Sequence, residues 1–399
     1  MDLIDELGHS NLGIEFDVFH LYATEGNIDA NIKKCLPNVG NIQIADIPDR
    51  NEPGTGEVDF ESFQKVFERF NVHTLCGLTR DAIDRILQSN AETKVSLNFD
   101  DVLKVKEIDI IDICLPPHLH FSACKKAMEA GKHVICEKPL VSSLKEVDVL
   151  EKISKETGRI IFPVFQYRYG LGFSQLKALI KSDLAGKPLV SSLETHWNRG
   201  KDYYSKPWRG TWKGEQGGAI LSHSIHIHDL VSMVLGPVSN VFAKLTTRVN
   251  DIEVEDCAAL SIEMKNGSLV TSSITLGAAN DTSRLRFCFE GFTAESSASP
   301  DKPYNPADDK WDFLPRAPIT KTQIDEVLSK VKEPKSWYAG MFEEIANKLD
   351  GSPSDEVSLL DARKSLEFVT AVYDSSRQNK NIKLPIDKDN PLYNSWLPK

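Results

Sequence analysis

Apolar residues are distributed in two regimes along the chain. Up to about residue 160, short apolar runs alternate with stretches of helical period, the signature of a parallel sheet with crossover helices. Residues 108–115, rich in Ile and closed by Pro116 and Pro117, predict a strand buried on both faces. Residues 121–130 then read as helix, the apolar residues after Gly131 as a strand, 144–155 as helix and 160–165 as a strand. Further upstream, strands over 42–47 and 72–78 flank a helix over 60–70, one right-handed βαβ unit of ordinary length. Residues 16–22 and 28–36 add a βα unit, and 79–87, 94–97 and 100–105 continue as helix, strand and helical turns. From about residue 160 the period shifts to two over 189–195, 241–249, 257–264, 269–276 and 284–289, with Asn266-Gly267 marking a hairpin. Residues 294–318, rich in Ser, Pro and Asp, read as a surface loop, and 338–379 as closing helices. The expected fold class is α/β: a Rossmann-like parallel sheet with an atypical first strand, followed by an α+β domain with an open antiparallel sheet. The expected division is 1–71, 72–160 and 161–399.

The candidate chemistry gathers where these elements end. Gly131-Lys132-His133-Val134-Ile135-Cys136-Glu137-Lys138-Pro139-Leu140 sets Lys138 beside a proline directly after an apolar strand. That is the carboxyl edge of a parallel sheet, where α/β proteins bind ligands. A second constellation runs from Trp208 to Leu230, where a glycine pair, Gly217-Gly218, opens a helical pattern. Ser222, His226 and Asp229 fall at helical spacing on one face, and His223 and His226 are three apart, so one turn presents two imidazoles to one cleft. Imidazole suits proton transfer because its unperturbed pKa, about 6.5, lies near working pH. The same histidines also read as hydrogen-bonded core or rim residues. A metal reading through His223, His226 and His228 is disfavoured, because His228 points off that face and no cysteine or carboxylate lies at ligand spacing. Gln166-Tyr167-Arg168-Tyr169 follows an apolar strand, and Trp197, Arg199, Tyr203, Tyr204, Trp208 and Arg209 supply the flat rings and guanidinium groups that line polyol pockets. Such a loop serves equally as plain packing or as an oligomer contact.

Taken in order, a strand, Pro116-Pro117-x-x-His120, a helix, Ala130-Gly131-Lys132-His133-Val134, a strand and Glu137-Lys138-Pro139 resemble the Gfo/Idh/MocA family of nicotinamide-dependent sugar and cyclitol oxidoreductases. The resemblance covers roughly residues 72–399. It implies hydride transfer on a sugar-like small molecule, with Lys138 approaching both the nicotinamide and the reacting hydroxyl and His226 moving the proton. It also implies cofactor contacts from Leu115, Pro116, His120, Glu137, Lys138 and Gln166, and substrate contacts from Arg168, Trp208, Arg209, Ser222 and His223. Members usually carry an aspartate where Ser222 stands. A serine cannot hold negative charge near neutral pH, so the base here falls to His226 alone or with His223 as neighbour. After the strand over 72–78, an acidic residue would suit the ribose hydroxyls of NAD, whereas Thr79-Arg80 suits the 2′-phosphate of NADP. The cofactor is accordingly expected to be NADP or NAD, with NADP favoured. Family members commonly dimerise through the open sheet, which implies a homo-oligomer.

The amino end departs from this pattern. No G-x-G-x-x-G turn follows the first strand; instead Pro48-Asp49-Arg50-Asn51-Glu52-Pro53-Gly54-Thr55-Gly56-Glu57 follows it. Glu52 and Glu57 would repel a pyrophosphate. Phe16-Asp17-Val18-Phe19-His20, Gln43-Ile44-Ala45-Asp46 and the Glu-Pro-Gly-Thr-Gly-Glu run resemble the late strands of hydroxypyruvate isomerases, (β/α)8 barrels, over roughly residues 10–71. That resemblance implies metal ligation by Asp17 and Gln43 and substrate contact by His20 and Arg50. The position of a further glutamate falls near Leu78-Thr79, where there is no carboxylate, and another would precede residue 1. A quarter of a barrel cannot close, so isomerase activity is not expected. The segment is expected instead to stand in for the missing first strand without restoring the phosphate turn. A rival to the enzyme reading is therefore a fold remnant that binds a polyol or a partner but no nicotinamide.

Composition narrows the classes. The chain has 399 residues, enough for two cored domains, and a net charge of −11, which argues against nucleic acid because phosphate binding wants clustered bases. Its seven cysteines are odd in number and mostly lie in apolar runs, as reduced thiols of a cytoplasmic protein do. No apolar run of about 18 residues occurs and the first residues are acidic, so neither a membrane span nor an export signal is expected.

Overall fold

The computed structural model describes residues 15–17, 41–43, 74–76, 94–300 and 302–398. Strand β1 (Glu15–Asp17) lies parallel to β2 (Asn41–Gln43), and β3 (Thr74–Cys76) lies parallel to β4 (Lys94–Ser96). The helices expected over 28–36, 60–70 and 79–87, together with His20, Arg50, Thr79 and Arg80, lie outside the described residues. Among the described residues β2 pairs with β1 and β3 with β4; the rest of the βαβ unit expected over 42–78 lies outside the described residues. The isomerase-like segment keeps its own parallel neighbour, across a connection long enough for a crossover.

Helix α1 (Phe99–Val102), capped by the Asn98 side chain, leads to a three-stranded parallel sheet of β5 (Ile110–Ile113), β6 (His133–Cys136) and β7 (Ile161–Pro163), in register through Ile113, Cys136 and Pro163. Pro116 ends the first of these strands. Pro117 opens α2 (Pro117–Glu129), one turn earlier than expected, because a proline at the first helical position gives up an N–H that would have no partner anyway. Gly131 turns with φ +81, and the Lys132 ammonium then donates to the carbonyls of Val105 and Ile108 at 2.6 Å each, pinning the entry to β5. Helix α3 (Leu144–Thr157) runs from a Ser143 cap to Gly158 at φ +68, the left-handed close that a glycine adopts without strain.

Past β7, a 3-10 turn at Gln166–Arg168 and helix α4 (Leu171–Lys181) connect to β8 (Pro188–Asn198). Two short helices follow, α5 (Ala219–Ser222) and α6 (Ile225–Leu235). The chain then builds β9 (Val238–Thr246), β10 (Cys257–Met264), β11 (Leu269–Thr275), β12 (Gly277–Phe289), β13 (Phe292–Ser296), β14 (Trp311–Pro315) and β15 (Ile382–Lys383). With β8 these strands form one eight-stranded sheet in the order β14-β13-β12-β8-β11-β10-β9-β15, antiparallel except between β8 and β11. Residues alternate between buried and exposed along β10 and β11, as the period of two requires, and the β10–β11 hairpin turns at Gly267 with φ +85. Strand β14 corrects the expected loop over 294–318. Its Trp311 and Phe313 rings pack within 6.1–6.2 Å of Phe287 and Phe292, so an apolar alternation hidden in polar surroundings is enough to add an edge strand.

Helices α7 (Lys321–Leu328), α8 (Trp337–Leu349) and α9 (Leu359–Gln378) close the molecule, the last capped by a reciprocal Ser358–Asp361 box. After β15 the chain runs back across both layers. The Tyr393 carbonyl accepts from Lys145 N at 3.2 Å and its hydroxyl donates to Asp148, both at the start of α3. The buried Trp396 indole donates to the Gln216 carbonyl at 2.7 Å. Among the described residues no helix is long and apolar enough to cross a membrane, and the described cysteines are free thiols, of which only Cys124 and Cys136 are buried.

Candidate active site

Lys138 follows the carboxyl end of β6, where the chain leaves the sheet through Glu137-Lys138-Pro139 with a cis Lys138–Pro139 bond. Its ammonium reaches across to helix α5 and donates to the Ser222 carbonyl at 2.6 Å. The loop is braced from beneath by His120, which is wholly buried on α2, with Nδ1 2.8 Å from the Pro139 carbonyl and Nε2 2.6 Å from the Leu115 carbonyl. Both partners are acceptors and favour a doubly protonated ring, while burial pushes the His120 pKa below its ordinary value. The expectation that His120 contacts cofactor is thereby corrected. Its ring nitrogens face protein carbonyls, and it acts on the lysine loop instead. Leu115 and Pro116 stand beside that loop at the end of β5, Leu115 with 36% of its surface exposed.

The second constellation is not one helix. The chain breaks at His223 and Ser224, so Ser222 and His226 sit on separate helices, which corrects the expected common face. The cause is local. The Ser224 hydroxyl donates to the Ala219 and Ile220 carbonyls at 3.2 and 3.3 Å, competing for the acceptors a continuing helix would use. His226 is drawn under Tyr167, stacked at 4.2 Å between centroids, with Phe165 edge-on at 5.7 Å. His223 instead packs against Trp197 at 5.3 Å and Tyr203 at 5.5 Å. The two imidazoles belong to different aromatic clusters. His228 bonds the Ser272 hydroxyl at 3.0 Å, and burial pushes its pKa down to about 3, which keeps it neutral. Among the described residues no group of three His, Cys, Asp or Glu side chains is arranged to hold a metal.

Arg168 also departs from expectation. Its Nε and Nη2 donate to the two buried Asp229 oxygens at 2.7 and 2.6 Å, and Nη1 lies 3.3 Å from the half-buried Asp361. Its guanidinium is committed to this triad, which ties the turn after β7 to α6 and α9, so the expected substrate contact is corrected to an internal brace. Arg209 stacks over Tyr203 at 4.0 Å and Trp208 at 4.5 Å and faces Glu215 at 3.5 Å. Arg199 lies over Trp197 at 5.0 Å and pairs with Asp281 at 2.9 Å. Trp208 and Arg209 thus form part of one aromatic and guanidinium wall beside His223.

Glu255 is a functional support that sequence reasoning missed. Its carboxylate accepts from Ile220 N at 3.1 Å and from the Tyr373 hydroxyl at 3.1 Å, and its carbonyl accepts from Ala219 N at 2.8 Å, so it holds the helix that receives Lys138. Gly218 must be glycine here, since a Cβ would meet the Glu255 carbonyl at 2.0 Å. Burial raises the Glu255 pKa from the ordinary 4.5 to about 7. A carboxyl that holds its proton more tightly when folded loses that stabilisation as pH rises between those two values, by at most about 3 kcal/mol at 1.36 kcal/mol per unit. Urea unfolding from pH 4.5 to 7 should therefore show stability falling with pH, and Glu255→Gln should flatten that slope. An unchanged slope in the variant would assign the effect elsewhere.

A nicotinamide site can be tested on the residues present. Gln166 is 3% exposed; its Nε2 donates to the Tyr338 hydroxyl at 3.1 Å, while no described donor meets its Oε1. A buried acceptor of this kind has capacity for one further donor, and a carboxamide amino group is chemically suited to it. Tyr338 donates onward to Glu137 Oε1 at 3.3 Å, and Glu137 Oε2 accepts from Lys138 N at 3.1 Å. The residues at the ends of β5, β6 and β7 therefore fit the ring end of such a cofactor.

The chain is similar to known proteins along most of its length. A model described as an oxidoreductase family, NAD-binding Rossmann fold, matches residues 54–165, and the GFO/IDH/MocA C-terminal domain matches 173–294. A xylose isomerase-like TIM barrel model matches residues 1–98. An uncharacterised oxidoreductase of Schizosaccharomyces pombe is 26% identical over 322 residues, covering 73% of this chain and 85% of that protein. The hydroxypyruvate isomerase of Escherichia coli is 40% identical over 77 residues, 19% of this chain and 30% of that enzyme. Among solved structures, the WlbA dehydrogenase of Bordetella pertussis in complex with NADH and UDP-GlcNAcA superposes with a TM-score of 0.69 at 23% identity, covering 80% of this chain and 92% of that one.

Proposed function

Because this chain belongs to the Gfo/Idh/MocA oxidoreductase family, with an isomerase-like segment at its amino end, we propose that it transfers hydride reversibly between a nicotinamide dinucleotide and the hydroxyl or ketone carbon of a sugar- or cyclitol-like substrate. The observation that carries the reading is the Lys138 ammonium held at 2.6 Å from the Ser222 carbonyl, beyond the carboxyl ends of the parallel strands and with His226 on the following helix. A bound nicotinamide supplies the carbon that accepts or returns the hydride. Leu115, Pro116, Glu137 and Gln166 hold it, and Trp208, Arg209, Ser222 and His223 line the substrate side. Lys138 orients and polarises the reacting oxygen through its ammonium. His226 takes the hydroxyl proton at a ring nitrogen, its plane fixed by the Tyr167 face, and Ser222 contributes its carbonyl as the rest position of the lysine rather than as a base.

Thr79-Arg80 favours a 2′-phosphate, so NADPH is expected to bind at least as well as NADH. Titration of the chain with either, followed by energy transfer from tryptophan to the reduced nicotinamide, should give dissociation constants on the order of micromolar, in the range of ordinary enzyme KM values. Reduction of NAD(P)+ by neutral polyols should follow. No binding up to roughly millimolar cofactor, the upper end of that range, would leave the fold-remnant reading, which the missing glycine turn favours. The exposed outer face of the large sheet, with Leu269 paired in register to Val190, supports self-association as part of the same proposal.

A further inference from the structure

Tyr338 lies on helix α8, far in sequence from the strands and loops that supply the other site residues, yet its hydroxyl sits at the centre of a four-residue chain. Gln166 Nε2 donates to it at 3.1 Å, it donates to Glu137 Oε1 at 3.3 Å, and Glu137 Oε2 accepts from Lys138 N at 3.1 Å. A phenol oxygen can accept one hydrogen bond while donating another, which no aliphatic or phenyl side chain can do. One atom therefore fixes both the Gln166 carboxamide and the carboxylate beside Lys138. By engaging the Gln166 amino group it also leaves Oε1, buried and without a described donor, as an acceptor. If the Tyr338 hydroxyl were lost, the Gln166 amino group and Glu137 Oε1 would each lose this shared partner.

We propose that Tyr338 is a positioning residue for the nicotinamide end of the cofactor. It sets the Gln166 carboxamide to accept an N–H from the ring substituent and holds Glu137 so that the Lys138 loop keeps its place. The proposal rests on the hydride-transfer reading, and it assigns the role to a residue contributed by α8. It predicts a discrimination rather than a general loss. NADH carries the nicotinamide, whereas ADP-ribose has the same adenosine and pyrophosphate without it.

The test is calorimetric titration of the full chain and of Tyr338→Phe with NADH and, separately, with ADP-ribose. Phe keeps the ring that packs in the interior, and ADP-ribose binding reports whether the variant is folded. The expected result is NADH affinity weakened about tenfold, the size of one buried hydrogen bond, with ADP-ribose affinity kept within about twofold. Gln166→Met should give the same selective loss, and the double variant should lose no more than either single one, because both changes remove one linked unit. Equal losses for NADH and ADP-ribose, or no loss for either, overturn the positioning role while leaving hydride transfer standing. A parent chain that binds ADP-ribose but not NADH overturns both.

Discussion

Replacing Lys138 with Met is expected to lower kcat for hydride transfer roughly a thousandfold, the usual upper scale for removing a charged donor aimed at the reacting oxygen. Met keeps most of the aliphatic stem, so the loop packing above His120 survives while the contact of the ammonium with the Ser222 carbonyl is lost. Binding of NADH or NADPH should change little, because the Gln166, Tyr338 and Glu137 chain is intact. Stopped-flow measurement of nicotinamide reduction under saturating substrate checks this directly. A kcat within a few-fold of the parent would remove Lys138 from the chemistry and reduce it to a strap between β6 and α5.

The second large effect is expected on stability. Asp229→Asn leaves the buried Arg168 guanidinium with only Asp361 at 3.3 Å, and breaking a buried ion pair from one side costs about 3 kcal/mol or more. Arg168→Leu combined with Asp229→Leu should cost less than Asp229→Asn, since no charge is then stranded in the interior. Urea denaturation midpoints of these variants decide the matter. Unchanged midpoints with a raised KM for substrate would restore the reading in which Arg168 faces the ligand.

What the sequence disclosed follows physical range. The Ile-rich run before Pro116, the helix before Gly131 and the Glu137-Lys138-Pro139 exit were legible because strand period, proline exclusion and glycine turns act within a few residues. The paired strands around Asn266-Gly267 were legible for the same reason. The helix break at Ser224 was hidden because a serine bonding back to Ala219 and Ile220 leaves the helical spacing of Ser222 and His226 intact on paper. Arg168 was misplaced because its partner Asp229 is 61 residues away, and Tyr338 was missed because it meets Glu137 across 201. Those pairings are chosen by tertiary packing, and no local period encodes them. Strand β14 was hidden by composition: Ser, Pro and Asp surround the two aromatic residues that decide its fate.

The segment that carries Tyr393 and Trp396 grips α3 on the nucleotide side and the Gln216 carbonyl on the substrate side. A band fixed at both ends resists separation of the two layers. Gln216 stands next to the Gly217-Gly218 turn into the helix that receives Lys138, so the band is tied to the lysine's own partner. The tryptophan indole sits at that anchor point, which makes its environment an inherent gauge of how the cleft is held.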